Sequence, residues 1–259
     1  MQNFIPSVDS SLKVLEFLAN EETQSSTLSE ISSSLSINKS TCLRILKTMA
    51  QRDFVHYEEN TKQYKLGSYL IALGARSSQV NNYLNIAISF LPLVCKEINQ
   101  TVVLAKRTDK YNMAYIAKEE SENLIRLTVS TGNIFPIIGG AAGKIYMAYL
   151  DQKEVEDIID YYIEEGNLPS YTPKSITDSS RYLENLTELK KSGMAETDSE
   201  HTPGIYAVSC PIFNSKNEVI LSIAAFIPSF STDSLDLKTI RERIQYYSKL
   251  ISEEVSIYV

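Results

Sequence analysis

Two stretches of this sequence and two single histidines have the residue types and spacing to do chemistry. The first stretch runs from Asn38 to Arg52, where Lys39, Arg44, Lys47 and Arg52 stand with no Asp or Glu among them. Such a run suits a phosphate backbone. On a helix the 3.6-residue period turns Lys39, Ser40, Leu43, Arg44 and Lys47 to one side, with Thr41 beside them at its start. Small polar Ser40 and Thr41 let the backbone approach a major groove. Arg44 is long enough for a guanine edge or a phosphate, and Leu43 matches a thymine methyl. The plainer reading is a solvated helix face, the usual fate of a charge run.

The second stretch is Gly139-Gly-Ala-Ala-Gly-Lys144. A nucleotide-binding loop wants glycine where Ile138 stands and Ser or Thr where Ile145 stands, so that motif is rejected. Small residues opening a helix still leave backbone N–H groups that suit a carboxylate. Close helix–sheet packing uses the same residues, and spacing alone does not separate the two readings. His56 and His201 are too few for a His-rich metal site, and neither sits in a catalytic motif. Cys42, Cys95 and Cys210 are far apart, with no C-x-x-C pair, which argues against a disulfide framework or a zinc site. No catalytic residue, metal or cofactor is therefore assigned. His201 beside Glu200 reads as a surface pair, and Cys210 as packing.

The basic stretch needs a scaffold, and the flanking pattern supplies one. Ser7–Ala19 has Val8, Leu12, Leu15, Phe17 and Leu18 at helical spacing. Thr27 with Glu30 forms a capping box for a short helix, Leu28–Leu35. Asn38 caps a third helix, about Lys39–Arg52, with Cys42, Ile45, Leu46 and Met49 inward. Two alternating segments, Phe54–Glu58 and Gln63–Leu66, make a hairpin whose Lys62 and Lys65 suit flanking phosphates. Helix, helix, turn, helix, hairpin is a winged helix-turn-helix.

Further on, Gly67 to about Gln100 reads as mostly helical, with a boundary in the polar stretch Ser77–Asn82. Period two takes over in Thr101–Lys106, Asn112–Lys118 and Leu124–Thr131, then in Tyr206–Phe213 and Val219–Ile227. Helices are expected at Lys144–Leu150, Glu154–Tyr162, Ser179–Ser192 and Leu235–Val255, the third stopped by Gly193. Helices flanking an antiparallel sheet make the chain α+β. The expected domains are 1–76 (winged helix), 77–100 (helical linker) and 101–259.

Charge follows the same division. Of the 259 residues, 1–76 hold eight basic and eight acidic side chains, so the net charge of −7 lies wholly beyond them. No stretch reaches the roughly 18–20 apolar residues of a membrane helix. Met1–Pro6 carries no basic and apolar leader pattern, so the cytoplasm is expected.

Ser7–Glu16, Leu28–Ser32, Asn38–Thr41, Arg44–Leu46 and Tyr64–Gly67 together resemble the N-terminal domain of IclR-family transcriptional regulators. Gly139–Lys144, Gly193-Met-Ala and Gly204–Phe213 are similar to that family's effector domain, so the likeness spans nearly the whole chain. It implies a GAF-like second domain, a small organic metabolite as effector, and assembly as a homodimer or homotetramer. The backbone of Ala141, Ala142 and Gly143 matches the family's ligand-contacting turn. Its acidic loop position is Thr197 here, with Asp198 next; its Cys or Ser strand positions are Ala207, Ala224 and Phe226. Alternation adds Ser209 and Ser222 to the same faces. The implied ligand is a small organic acid or a more apolar metabolite, unless Phe226 itself fills the pocket.

The reading is a sequence-specific DNA-binding regulator, taken as a repressor, whose operator affinity a metabolite modulates. The alternatives are a winged helix that docks on protein and, lower, an enzyme acting on a small organic acid.

Overall fold

The computed structural model describes residues 5–20, 22–164 and 166–259, and the side chains of all of these except 78–80. Residues 1–4, read above for a leader, lie outside the described residues. The chain forms two compact units, Met1–Asn81 and Asn82–Val259.

In the first unit, α1 (Pro6–Ala19) opens on a proline, whose missing N–H costs nothing in a first turn. Its core stripe is Val14 and Leu18; Val8 and Leu12, expected inside, are 52% and 53% exposed. The helix carries two apolar stripes, and α3 (Lys39–Ala50) packs on only one of them. Between them, β1 (Ser26–Thr27) leads into α2 (Leu28–Ser34) through the expected capping box. Glu30 N donates to Thr27 Oγ1 (3.3 Å) and Thr27 N donates back to Glu30 Oε2 (2.6 Å).

A short break with Ser36 at φ 53° turns the chain from α2 into α3. Asn38 then accepts from Ser40 N at 3.0 Å and sets the direction of α3. Leu18, Ile31 and Leu46 are fully buried together, each contributing about 1.5–3 kcal/mol. β2 (Val55–Glu58) and β3 (Gln63–Leu66) complete a three-stranded sheet in the order β1-β3-β2. Gly67 then passes so close to Asp53 that a Cβ would sit 2.0 Å from its carbonyl oxygen, so only glycine fits. The unit ends in α4 (Tyr69–Val80).

The second unit begins with α5 (Asn82–Ser89) and α6 (Leu91–Ile98). Its centre is an antiparallel sheet of β4 (Thr101–Arg107), β5 (Asn112–Glu119), β6 (Ile134–Pro136), β7 (Ala195–Asp198), β8 (Ile205–Phe213) and β9 (Val219–Pro228). The strand order is β6-β5-β4-β9-β8-β7. One face, here called outer, packs Leu104, Ile223 and Cys210 against α5, α6 and the last helix, α10 (Leu237–Val255). The inner face packs Val103, Ala207 and Ala224 against α7 (Gly140–Met147), α8 (Gln152–Tyr162) and α9 (Ser179–Ser192). Gly193 ends α9 at φ 70°, as its position suggested.

The segment 124–131, expected as a strand, has no ladder hydrogen bonds. Leu127 and Val129 pack on the core, while Arg126 and Thr128 bond to Glu120, so side chains rather than a sheet hold it. The apolar run 134–142 reads as a buried strand, but only its first three residues form one, the edge strand β6, and α7 begins at Gly140. The other edge strand, β7, was not anticipated: four residues are too few to show a period.

Candidate nucleic-acid interface and ligand site

On α3 the inward residues Cys42, Ile45 and Leu46 are buried, which forces the opposite face into solvent. Thr41, Arg44 and Lys47 are exposed there, and Leu43 is half-buried at its margin. No acid among the described residues pairs with Arg44 or Lys47, and the first turn holds none. The free N–H groups and positive end of the helix add to that field. Two expected contacts are already engaged within the unit. Lys39 Nζ donates to Ser29 Oγ on α2 (2.9 Å), and Ser40 Oγ donates to Asn38 (2.8 Å). Thr48, one turn beyond Arg44, shares the face and was missed; its hydroxyl donates to the Arg44 carbonyl (2.8 Å).

The hairpin places Lys62 at its turn, with φ 57°, and Lys65 exposed on β3 directly across from His56. His56 was read above only as one of two histidines; period two on the hairpin would have shown it facing outward.

The second candidate site is the inner face of the larger sheet. Register places its residues in rows across the strands: Thr101, Phe226, Ala207 and Thr197; then Val103, Ala224, Ser209 and Ala195; then Ala105 and Ser222. Ala141, Ala142 and Gly143 of α7 are buried above this floor. The expected residues Thr197, Ala207, Ser209, Ser222, Ala224 and Phe226 thus lie together. Asp198 is the exception: it alternates off the inner face and accepts from Ser229 Oγ (2.8 Å), Ser199 Oγ (3.0 Å) and Lys174. Those partners, Lys174 first, hold its carboxyl below the usual range.

Polar atoms are scarce on this floor. Ser209 Oγ donates to the Ile223 carbonyl at 2.9 Å, whereas Thr101 Oγ1 and Ser222 Oγ are buried with no partner. Aromatic rings fill the end near Thr101. Tyr115 on β5 stacks on Phe135 (centroids 4.4 Å) and meets Phe226 edge-on (5.8 Å, 87° between planes). Sequence spacing did not place Tyr115 or Phe135 here, because the contact depends on which strands pair.

At the start of α7, the loop after β7 folds back over the glycines. A Cβ on Gly139 would lie 2.5 Å from His201 Cδ2, so the close approach of the imidazole requires glycine there. His201 also packs on Tyr171 (4.6 Å), and burial pulls its pKa below the ordinary histidine value. It does not pair with Glu200, contrary to expectation. Glu200 instead reaches buried Lys144, which also donates to Asn185 Oδ1 (3.2 Å) and lies 5.5 Å from the Tyr182 ring. Burial lowers the Lys144 pKa, and Glu200 opposes that shift. A cavity of about 20 Å³, room for about one water, adjoins this pair.

Cys210 lies on the outer face, opposite Ser209, and burial pushes its thiol up to about 12, far from a reactive thiolate. Among the described residues, no three His, Cys, Asp or Glu side chains are grouped to hold a metal ion. No helix of the described residues is long and apolar enough to cross a membrane.

Comparison with known proteins gives matches over most of the chain. The IclR helix-turn-helix domain matches residues 7–59, and the bacterial transcriptional regulator IclR C-terminal domain matches residues 77–253. A solved IclR transcriptional regulator from Alicyclobacillus acidocaldarius is 34% identical, with a TM-score of 0.86 and 98% of each chain covered. The HTH-type transcriptional repressor AllR of Salmonella paratyphi A is 24% identical over 79% of this chain and 74% of its own. An IclR homologue from Microbacterium hydrocarbonoxydans, solved in complex with 4-hydroxybenzoate, shares the fold at 16% identity, with a TM-score of 0.77 and coverage of 96% and 98%.

Proposed function

Because this chain belongs to the IclR family of bacterial transcriptional regulators, and so is a DNA-binding regulator of transcription, we propose that it is a repressor using the Thr41–Arg44–Lys47 face of α3. The observation that carries the DNA part is that acid-free face, capped by Asn38 and opposed by a buried core. Arg44 and Thr48 read base edges, and Lys47, Lys62 and Lys65 bind phosphates. Ser40 and Lys39 act at the helix start, where their present partners Asn38 and Ser29 hold them in place.

A small organic molecule on the inner face of the second domain modulates this binding. Two buried hydroxyls without partners support that reading, as does the 4-hydroxybenzoate complex of the Microbacterium relative. Ala141, Ala142 and Gly143 supply backbone at the ligand's edge; Thr197, Ala207, Ser209, Ser222, Ala224 and Phe226 supply the floor. Regulation requires the ligand to favour one of two arrangements, since equal affinity for both shifts nothing. The chain works in the cytoplasm as a homodimer or homotetramer, without catalysis.

The test is fluorescence anisotropy with the DNA upstream of its own gene against scrambled DNA, at two salt concentrations. Preference for the upstream fragment, weakened by salt, is the expected result. Equal binding to both, or none across wider genomic fragments, would sink it and favour a winged helix that docks on protein.

A further inference from the structure

We propose that Phe226 plugs the inner-face site, and that the ligand admitted in its place is a single-ring aromatic carboxylate held at the rim by Arg126 and Lys118. The proposal rests on the effector reading above and names the class of effector.

The register puts the parts together. Val103 lies on the inner face between Lys118 of β5 and Ala224 of β9, its partners on either side. Tyr115 stands opposite Ala105, and Phe226 opposite Thr101, so the two rings reach toward each other across Val103. The floor beneath is small: Ala105, Ala207 and Ala224. Thr101 is 1% exposed, and its hydroxyl has no partner beside the Phe226 ring. A buried hydroxyl left unpaired is costly, and a ligand oxygen in the place of that ring would satisfy it.

The rim carries cations with donors to spare. Lys118 Nζ donates to Glu120 Oε1 (2.7 Å) and Thr128 Oγ1 (2.8 Å). Arg126 donates through Nε to Glu120 Oε2 (3.0 Å) and through Nη1 to the Asn123 carbonyl (3.4 Å), which leaves further guanidinium hydrogens. One acid thus faces two cations, while neighbouring Glu119 and Glu122 act on Cys95, on the outer side of the sheet. The Lys118 and Arg126 side chains are 29% and 45% exposed, while Tyr115 and Phe226 meet edge-on within, which is the polarity of a ring bearing one carboxylate. An incoming ring replaces the edge-on contact of Phe226 with Tyr115 by a like contact. A two- or three-carbon acid has nothing to offer in its stead.

Isothermal titration calorimetry of the full chain, with benzoate as probe and pyruvate as control, tests this. Benzoate should bind the wild type and pyruvate should not. Arg126→Gln, a surface change, should weaken benzoate by roughly tenfold or more, the scale of a charge-assisted hydrogen bond. Phe226→Ala should tighten benzoate and admit pyruvate. Thr101→Val keeps the shape; it should weaken benzoate severalfold, and because removing an unpaired buried hydroxyl should also raise thermal stability, that loss of affinity would not come from a weakened fold. If Phe226→Ala does not fold, the other two variants carry the test. Failure of benzoate to bind the wild type, or an affinity unchanged by Arg126→Gln or Thr101→Val, overturns the proposal. Operator affinity measured without acid keeps the two readings apart. Intact operator binding with no benzoate heat overturns only the ligand class, whereas lost operator binding overturns the regulator reading itself.

Discussion

Lys144, near the middle of α7, and Glu200, in the loop after β7, form an ion pair in which the lysine is 4% exposed and the glutamate 20%. The pair joins the helix that covers the inner face to the loop that covers the helix's own start. The Glu200 carboxylate beside Lys144 opposes the cost of burying the ammonium.

Glu200→Gln should therefore cost about 3 kcal/mol, because it strands a buried charge rather than because the pair is intrinsically strong. Lys144→Met in the same chain should restore much of the loss. Urea unfolding of the two single variants and the double variant reads this directly, and a purely additive cycle would refute it.

His201 sets an acid-side limit. Its folded pKa lies below the unfolded value of 6.5, so the unfolded chain binds the proton first as pH falls. Stability from this group is complete above about 6.5 and declines as pH drops toward the folded pKa. His201→Gln should flatten that decline. Melting temperatures near pH 5 and pH 7.5, roughly bracketing the histidine range, measure the difference.

Arg44→Ala should weaken operator binding by about 1–3 kcal/mol and relax sequence preference if the guanidinium is bidentate on a base. Lys47→Ala should instead weaken all sequences alike and reduce the salt slope by about one. Lys39→Ala should have less effect than either, since Lys39 is held by Ser29. Anisotropy titrations against native and scrambled DNA distinguish the three.

Asn38→Ala should cost about 0.5–2 kcal/mol through loss of the cap on α3. Operator affinity should fall with it although Asn38 itself need not touch DNA, because the first turn that presents Ser40 and Thr41 would fray. An unchanged urea midpoint would refute the capping role.

What the sequence determined by itself was local. The capping box Thr27–Glu30, the Asn38 cap, the glycine stop at Gly193 and the apolar stripe of α3 depend on residues within one or two turns of each other, and each is found in the structure. The acid-free face of α3 followed from the same period. Alternation likewise put Ser209 on the face of Ala207, and Ser222 on the face of Ala224 and Phe226, positions that the family resemblance had implied. What only the tertiary structure decided was pairing over distance. Which stripe of α1 is buried depended on where α3 packs, and Val8 and Leu12 lost that choice. That Tyr115 meets Phe226, and that Glu200 pairs with Lys144 rather than His201, required the strand order and the path of a loop. A short-range pattern records the period of one element. It does not record which element, far along the chain, will satisfy a given ring or charge.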